Sequence, residues 1–305
     1  MSGGAYKLPP GLWRSSASKT DRHSPSVATL ALAITVTMPS PRYIRALYRA
    51  IRLARLSEAW VPREHQRRPI EVVAYGSLVF NRRLAEATAR LRGEADYEAR
   101  ILLRTMLDEV QVNYSWIRLR HIHSRANRFV KYLPIEQLKI MEEMPVDWRD
   151  STYPQEVRKL RLARSRVGYL FRKQNPKTGK SYWASSWASV SSFQARLMEV
   201  LRHEEPGVDP PDTFLYAVYR WTSSSVHGGP HALRELLSLT AQGYRPNPRP
   251  AALRADSSII TALTILSATL STAGTDLRFG ETLVDRINAL GTLVNKLRPP
   301  IALGT

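Results

Sequence analysis

The chain has 305 residues, no cysteine, 43% apolar residues and a formal net charge of +19. That length and apolar content can build a sizeable core and argue against wholesale disorder, while the missing cysteines exclude disulfides and thiolate metal sites. The charge favours polyanionic partners, nucleic acid before anionic membrane; the excess of Arg over Lys can also reflect genome composition.

Residues 1–40 are rich in Gly, Ser and Pro before an apolar run, and read as a flexible leader. The run Val27 to Met38 is too short to span a bilayer. Pro39, Ser40 and Pro41 do not resemble a signal-peptide cleavage site, so a cytoplasmic protein is expected and a membrane partner is not.

Tyr43 to Trp60 carries Ile44, Leu47, Tyr48, Ile51 and Ala54 at helical spacing, with Arg42, Arg45, Arg49, Arg52 and Arg55 on a basic face. That face reads as a solvated helix surface, or as a seat for phosphates or a membrane surface. A second helix is predicted from Pro69 to Leu91, with Gly93 as its stop, and a long third from Ala95 to Ile122. Shorter helices follow over Ser124 to Tyr132 and Pro134 to Met144. The turn-rich stretch 146–154 is the best internal boundary.

Gln155 to Lys173 reads as a strongly basic helix, and Gln174 to Lys180 as a polar turn. Ser189 to Glu204 is helical. Asp212 is placed to cap a helix through Tyr219, and His231 to Ala241 reads as another. Gly243 to Pro250 is a loop, followed by helices over Ser257 to Thr272 and Glu281 to Leu297. No segment reads as an alternating strand. The expected fold is therefore all-α, a bundle of about ten helices in a single domain over 41–305.

Chemistry concentrates in Arg220-Trp-Thr-Ser223-Ser224-Ser225-Val-His227-Gly-Gly. A guanidinium can clamp a phosphate and stabilise a pentacovalent transition state, and an imidazole can move a proton near neutral pH. On a continuous helix the pair would share a face about 10 Å apart. Trp-Thr-Ser-Ser-Ser-Val is a poor helix interior, however, so a helix end or kink is expected there, placing both groups at a cleft mouth. The structural alternative is a histidine satisfied at a helix end, with Arg220 paired to Asp108 or Glu109.

The tract Tyr216-Ala-Val-Tyr219-Arg220-Trp-Thr-Ser223-Ser-Ser-Val-His227 resembles the Tyr-x-x-Tyr-Arg-x-x-Ser-x-x-x-His signature of a bacterial helical family of unknown function, abortive-infection-like and distantly similar to HEPN proteins. Arg100-Ile-Leu-Leu-Arg104-Thr-Met-Leu-Asp108-Glu109 is similar to that family's Arg-x-x-x-Glu helix. Arg125 to Tyr132 and Trp183 to Trp187 fit its later segments. The resemblance implies a HEPN-like core and a metal-independent endoribonuclease acting in phage defence or as a toxin. It further implies a homodimer whose Arg/His tracts meet across the interface, with Arg220 and His227 catalytic. Trp221 departs from the pattern, since the nucleases carry a polar residue there; the resemblance thus supports phosphate binding more directly than cleavage.

The substrate-binding candidates are Ser223, Ser224, Ser225, Arg104, Arg118, Arg120 and Arg125, with RNA preferred over DNA and no cofactor or metal expected. A second Arg/His pairing, Arg118 with His123, falls on different faces of a continuous helix. His121 and His123 likewise diverge and make a poor chelate. Tyr182, Trp183, Trp187 and Phe193 form an aromatic cluster beside a basic turn, read as buried packing before base stacking.

Overall fold

The computed structural model describes residues 40–61, 68–91, 96–188, 192–204, 207, 209, 213–226, 237–240, 243–246 and 255–297. Over these the protein is all-α, with two short hairpins. The leader, its apolar run and residues 227–236 lie outside the described residues.

Helices α1 (Pro41–Trp60) and α2 (Pro69–Leu91) follow the predicted bounds closely, with Pro41 and Pro69 in first turns. Leu47, Ala50, Ile51 and Ala54 bury one face of α1, while its five arginines stay exposed, as expected of a solvated charged face. The chain from α3 (Asp96–Thr105) through a π-helical stretch (Met106–Val112) to α4 (Asn113–Leu119) runs without interruption. The predicted third helix therefore exists, but its centre is wider than an α-helix. Asn113 Nδ2 donates to the Glu109 carbonyl of this stretch at 3.0 Å.

The third helix ends sooner than predicted. Arg120 is extended and His121 adopts a left-handed conformation (φ 51°), one that His tolerates better than most residues. Helix α5 (Ile122–Glu143) then passes straight through Pro134, which was expected to separate two helices. The loss of one backbone hydrogen bond is outweighed by packing: Tyr132, Ile135 and Leu138 are all buried from this stretch.

After a 3-10 turn (Val146–Trp148), α6 (Tyr153–Arg166) is shorter than the predicted basic helix. Val167 breaks it, α7 (Gly168–Phe171) makes one turn, and Phe171 enters a second core cluster with Tyr132, Ile135, Val167 and Ala184. Residues beyond Phe171 form strand β1 (Arg172–Gln174), paired antiparallel with β2 (Ser181–Trp183). Trp187 packs against both clusters, contacting Trp116 and Phe129 edge-on.

Helices α8 (Phe193–Glu204) and α9 (Phe214–Val226) follow, then a second hairpin of β3 (Leu237–Thr240) and β4 (Gly243–Pro246). This hairpin overturns the helix expected to Ala241 and the loop expected from Gly243. Leu-Ser-Leu-Thr alternates at a strand's period, and a two-residue link suits a tight hairpin. Helices α10 (Ala255–Asp276) and α11 (Glu281–Leu297) complete the order.

The core is organised around α10, which packs on α1, α2, α3 and α11. Its Asp256–Asp276 span is long and apolar enough to cross a membrane, yet 89% of that window is buried inside the fold. It is a core helix, buried on nearly every side. One hydroxyl ties it to its neighbours: Thr269 Oγ1 accepts from Asn81 Nδ2 at 2.8 Å and lies 2.9 Å from Gln111 Oε1. Asn81→Ala should therefore cost about 1–3 kcal/mol, read from the urea midpoint, because it removes the donor to a buried hydroxyl oxygen and leaves a small void. An unchanged midpoint would remove Asn81 from the network.

Candidate functional site

The serine run of the signature tract does not break the helix. Helix α9 continues through Thr222, Ser223, Ser224 and Ser225 to Val226, where a helix end or kink was expected. Two hydroxyls make this tolerable. Thr222 Oγ1 donates to the Val218 carbonyl at 2.8 Å, and Ser223 Oγ donates to the Tyr219 carbonyl at 2.7 Å. Thr222 is fully buried, so tertiary packing overrides the weak local propensity.

Helix α9 lies along α3. From that helix Arg104 reaches across, its Nη1 donating to Ser223 Oγ at 2.9 Å and lying 3.4 Å from the Tyr219 carbonyl. Its guanidinium stands over the Tyr219 ring at 4.2 Å and the Phe193 ring at 5.1 Å, and those two rings stack with centroids 5.5 Å apart. Arg104 Nε also pairs with Asp108 Oδ2 one turn further on. One arginine thus joins α3, α8 and α9.

Asp108 is the electrostatically unusual member. It is 7% exposed, and burial pushes its carboxyl from an ordinary 3.8 to about 7. The Arg104 charge pulls it down without cancelling that, while neighbouring Glu109 pushes it further up. Asp108 Oδ1 is buried and has no hydrogen-bond partner among the described residues. The π-helical stretch carries this residue, and such stretches often occur at functional sites. Arg196 also faces Asp108 and Glu109 electrostatically, and its Nε donates to Asn113 Oδ1 at 3.0 Å.

The structure brings Arg104 and Ser223 together and turns Arg220 to solvent on α9. Among the described residues, the acid beside α9 pairs with Arg104 and not with Arg220, and Glu109 is exposed. His227 lies outside the described residues, as do the side chains of Ser224 and Ser225. Arg118 is directed inward, with Nε 3.1 Å from Asp276 Oδ2, which also accepts from the Tyr114 hydroxyl at 2.7 Å. Arg125 donates to the Trp116 carbonyl, stacks over the Trp116 ring at 3.6 Å and pairs with Glu199 at 3.2 Å. Arg120 is exposed where the helix breaks. Of the aromatic cluster, Trp187 and Phe193 pack inward, Trp183 is half-buried and Tyr182 is exposed.

Sequence reasoning did not place Asp108 in a site, nor Phe193 and Tyr219 as the rings that hold Arg104. The available signal was Arg104 and Asp108 at i,i+4 on one helix face. No group of three metal-binding side chains occurs among the described residues.

The chain matches no curated protein and no solved structure. A family model does match, over residues 80–244, a span that takes in Arg104, Asp108 and the whole of α9. That span is more than half of the chain, and the protein belongs to this family of unknown function, DUF5677.

Proposed function

We propose that the protein is a HEPN-like RNA-binding protein that cleaves RNA without a metal ion, with Arg220 and His227 as the catalytic pair. The observation that supports this reading is the anchoring of α9. Arg104 fixes the helix through Ser223, the Tyr219 carbonyl and the Tyr219 ring, while Arg220 next to Tyr219 stands exposed. A phosphate-binding arginine held on a rigid helix is pre-organised for its ligand. In the proposed step the ribose 2′-oxygen loses its proton and attacks the adjacent phosphorus. The bond to the 5′-oxygen breaks and that oxygen gains a proton, leaving a 2′,3′-cyclic phosphate. Arg220 holds the phosphate oxygens and His227 carries the proton. Two copies would meet with their tracts facing, in a cytoplasmic defence or toxin role.

Labelled RNA incubated with the protein in EDTA tests this. Cleavage should yield cyclic-phosphate ends and fall by about 100-fold or more in both Arg220→Ala and His227→Ala. Cleavage unaffected by His227→Ala would overturn the mechanism. Salt-dependent binding without cleavage would make the chain a non-catalytic RNA-binding module.

A further inference from the structure

The densest basic surface lies away from α9. Residues 157–180 contain nine Lys and Arg and no Asp or Glu, and the next acid in the sequence is Glu199. Three of the nine are engaged: Lys159 with Glu156 at 2.6 Å, Arg161 with Glu142 at 3.1 Å, and Arg164 over the Trp183 ring at 5.1 Å. The other six, Arg158, Arg166, Arg172, Lys173, Lys177 and Lys180, are exposed and make no ion pair among the described residues. Six uncompensated cations on α6 and the hairpin beyond it produce a local field that folding itself does not use.

The hairpin holds these charges in a fixed arrangement. Its turn is closed by the Asn175 amide donating to the Lys180 carbonyl at 2.9 Å, and the Gly179 amide donating to the Asn175 carbonyl at 2.8 Å. Gly179 has φ +67°, which a side chain would strain. Lys173 sits directly opposite Tyr182, so the two side chains share one face. The Arg172 and Trp183 pair occupies the other, and Trp183 packs against the second core cluster. Two exposed rings stand among these cations, Tyr182 at 49% exposure and Tyr169 at 72%, the latter with Lys131 Nζ over one face at 5.6 Å.

We infer that α6 and the β1–β2 hairpin form a docking surface for single-stranded nucleic acid, with phosphates on the six exposed cations and bases stacking on Tyr169 and Tyr182. The inference rests on the nucleic-acid part of the reading above and not on its chemistry. A lipid surface fits less well. The most exposed apolar side chains nearby, Val146 and Trp148, precede α6, and that helix spans about 20 Å before the hairpin begins. The aromatic groups within the patch are tyrosines set among cations.

Fluorescence anisotropy on the full chain tests the inference, with labelled oligothymidine of about 20 nucleotides. This probe lacks the 2′-hydroxyl and cannot be cleaved by the proposed route. A variant combining Lys173→Gln, Lys177→Gln and Lys180→Gln should bind at least about tenfold more weakly, and its log–log salt slope should shrink by about 2. Tyr182→Ser should weaken binding by about fivefold or more with the salt slope unchanged. A control combining Arg45→Gln, Arg49→Gln and Arg52→Gln removes the same charge from α1 and should bind within about twofold of the parent. Equal losses in the two triple variants would reduce the effect to net charge and overturn the inference. Hairpin variants that bind oligothymidine normally would overturn it while leaving RNA cleavage intact. A parent chain that binds phosphatidylserine vesicles but no oligonucleotide would overturn it together with the nucleic-acid reading.

Discussion

At pH 8, where the Asp108 carboxyl is ionised, Arg104→Ala is expected to destabilise the fold by about 3–5 kcal/mol, because it leaves that carboxylate buried without its partner. Arg104 and Asp108 are only 12% and 10% exposed at their side chains, so water cannot replace the lost partner cheaply. The same substitution takes one donor from Ser223 Oγ and the Tyr219 carbonyl, and removes the cation that stands over the two stacked rings. The urea midpoint should fall with little change in slope. Arg104→Met combined with Asp108→Asn should sit much closer to the parent, since no charge is then buried alone. Hydrogen exchange gives an independent reading, because amides around Tyr219 and Ser223 should lose protection beyond the global change. A loss below about 1 kcal/mol would show that the pair is hydrated and that α9 is held by other contacts.

That prediction also marks where the sequence was informative. The periodicity of α1, α2, α8 and α11 located those helices within a few residues, since their apolar stripes are long and their ends carry Pro or acidic residues. It misjudged places where a distant residue decides the outcome. Pro134 reads as a break, but Phe171, 37 positions away, supplies the packing that keeps α5 whole. Ser223 reads as a poor helix former, but Arg104 gives its hydroxyl a partner 119 positions away. Arg118 and Arg125 read as substrate-binding residues, but their partners Asp276 and Glu199 lie far along the chain. The two hairpins escaped notice because strands of three or four residues carry almost no period. Local pattern therefore expected a break in the serine run, where the helix continues to Val226. It could not have shown that the tract's anchor is an arginine on another helix.

Asp108 gives the network a pH dependence of known sign. Its folded-state carboxyl titrates near 7, against 3.8 ordinarily, so the folded protein holds this proton more tightly than the unfolded chain. Its contribution to stability is complete below about pH 4, is lost as pH rises toward 7, and stays lost above that. The full difference is at most on the order of 4 kcal/mol. Arg104 and Arg196 act against the shift and Glu109 with it, and all three remain in place when only Asp108 is changed. Asp276 is also pushed up by burial and contributes a slope of the same sign, so the parent's pH profile alone is ambiguous. The informative quantity is the difference between Asp108→Asn and the parent. Asparagine cannot ionise, and its amide can still accept from Arg104. Relative to the parent, Asp108→Asn should be equal or slightly less stable at pH 4 and more stable at pH 8, with the crossover between about pH 5 and 7. Urea midpoints at half-unit intervals measure this directly, and parallel curves would mean that Asp108 is ionised throughout. Ionisation of Asp108 near neutral pH changes the charge beside the contact that anchors α9, so any activity carried by Arg220 should inherit a pH dependence centred near the same value. The variant would remove that dependence without touching Arg220 itself.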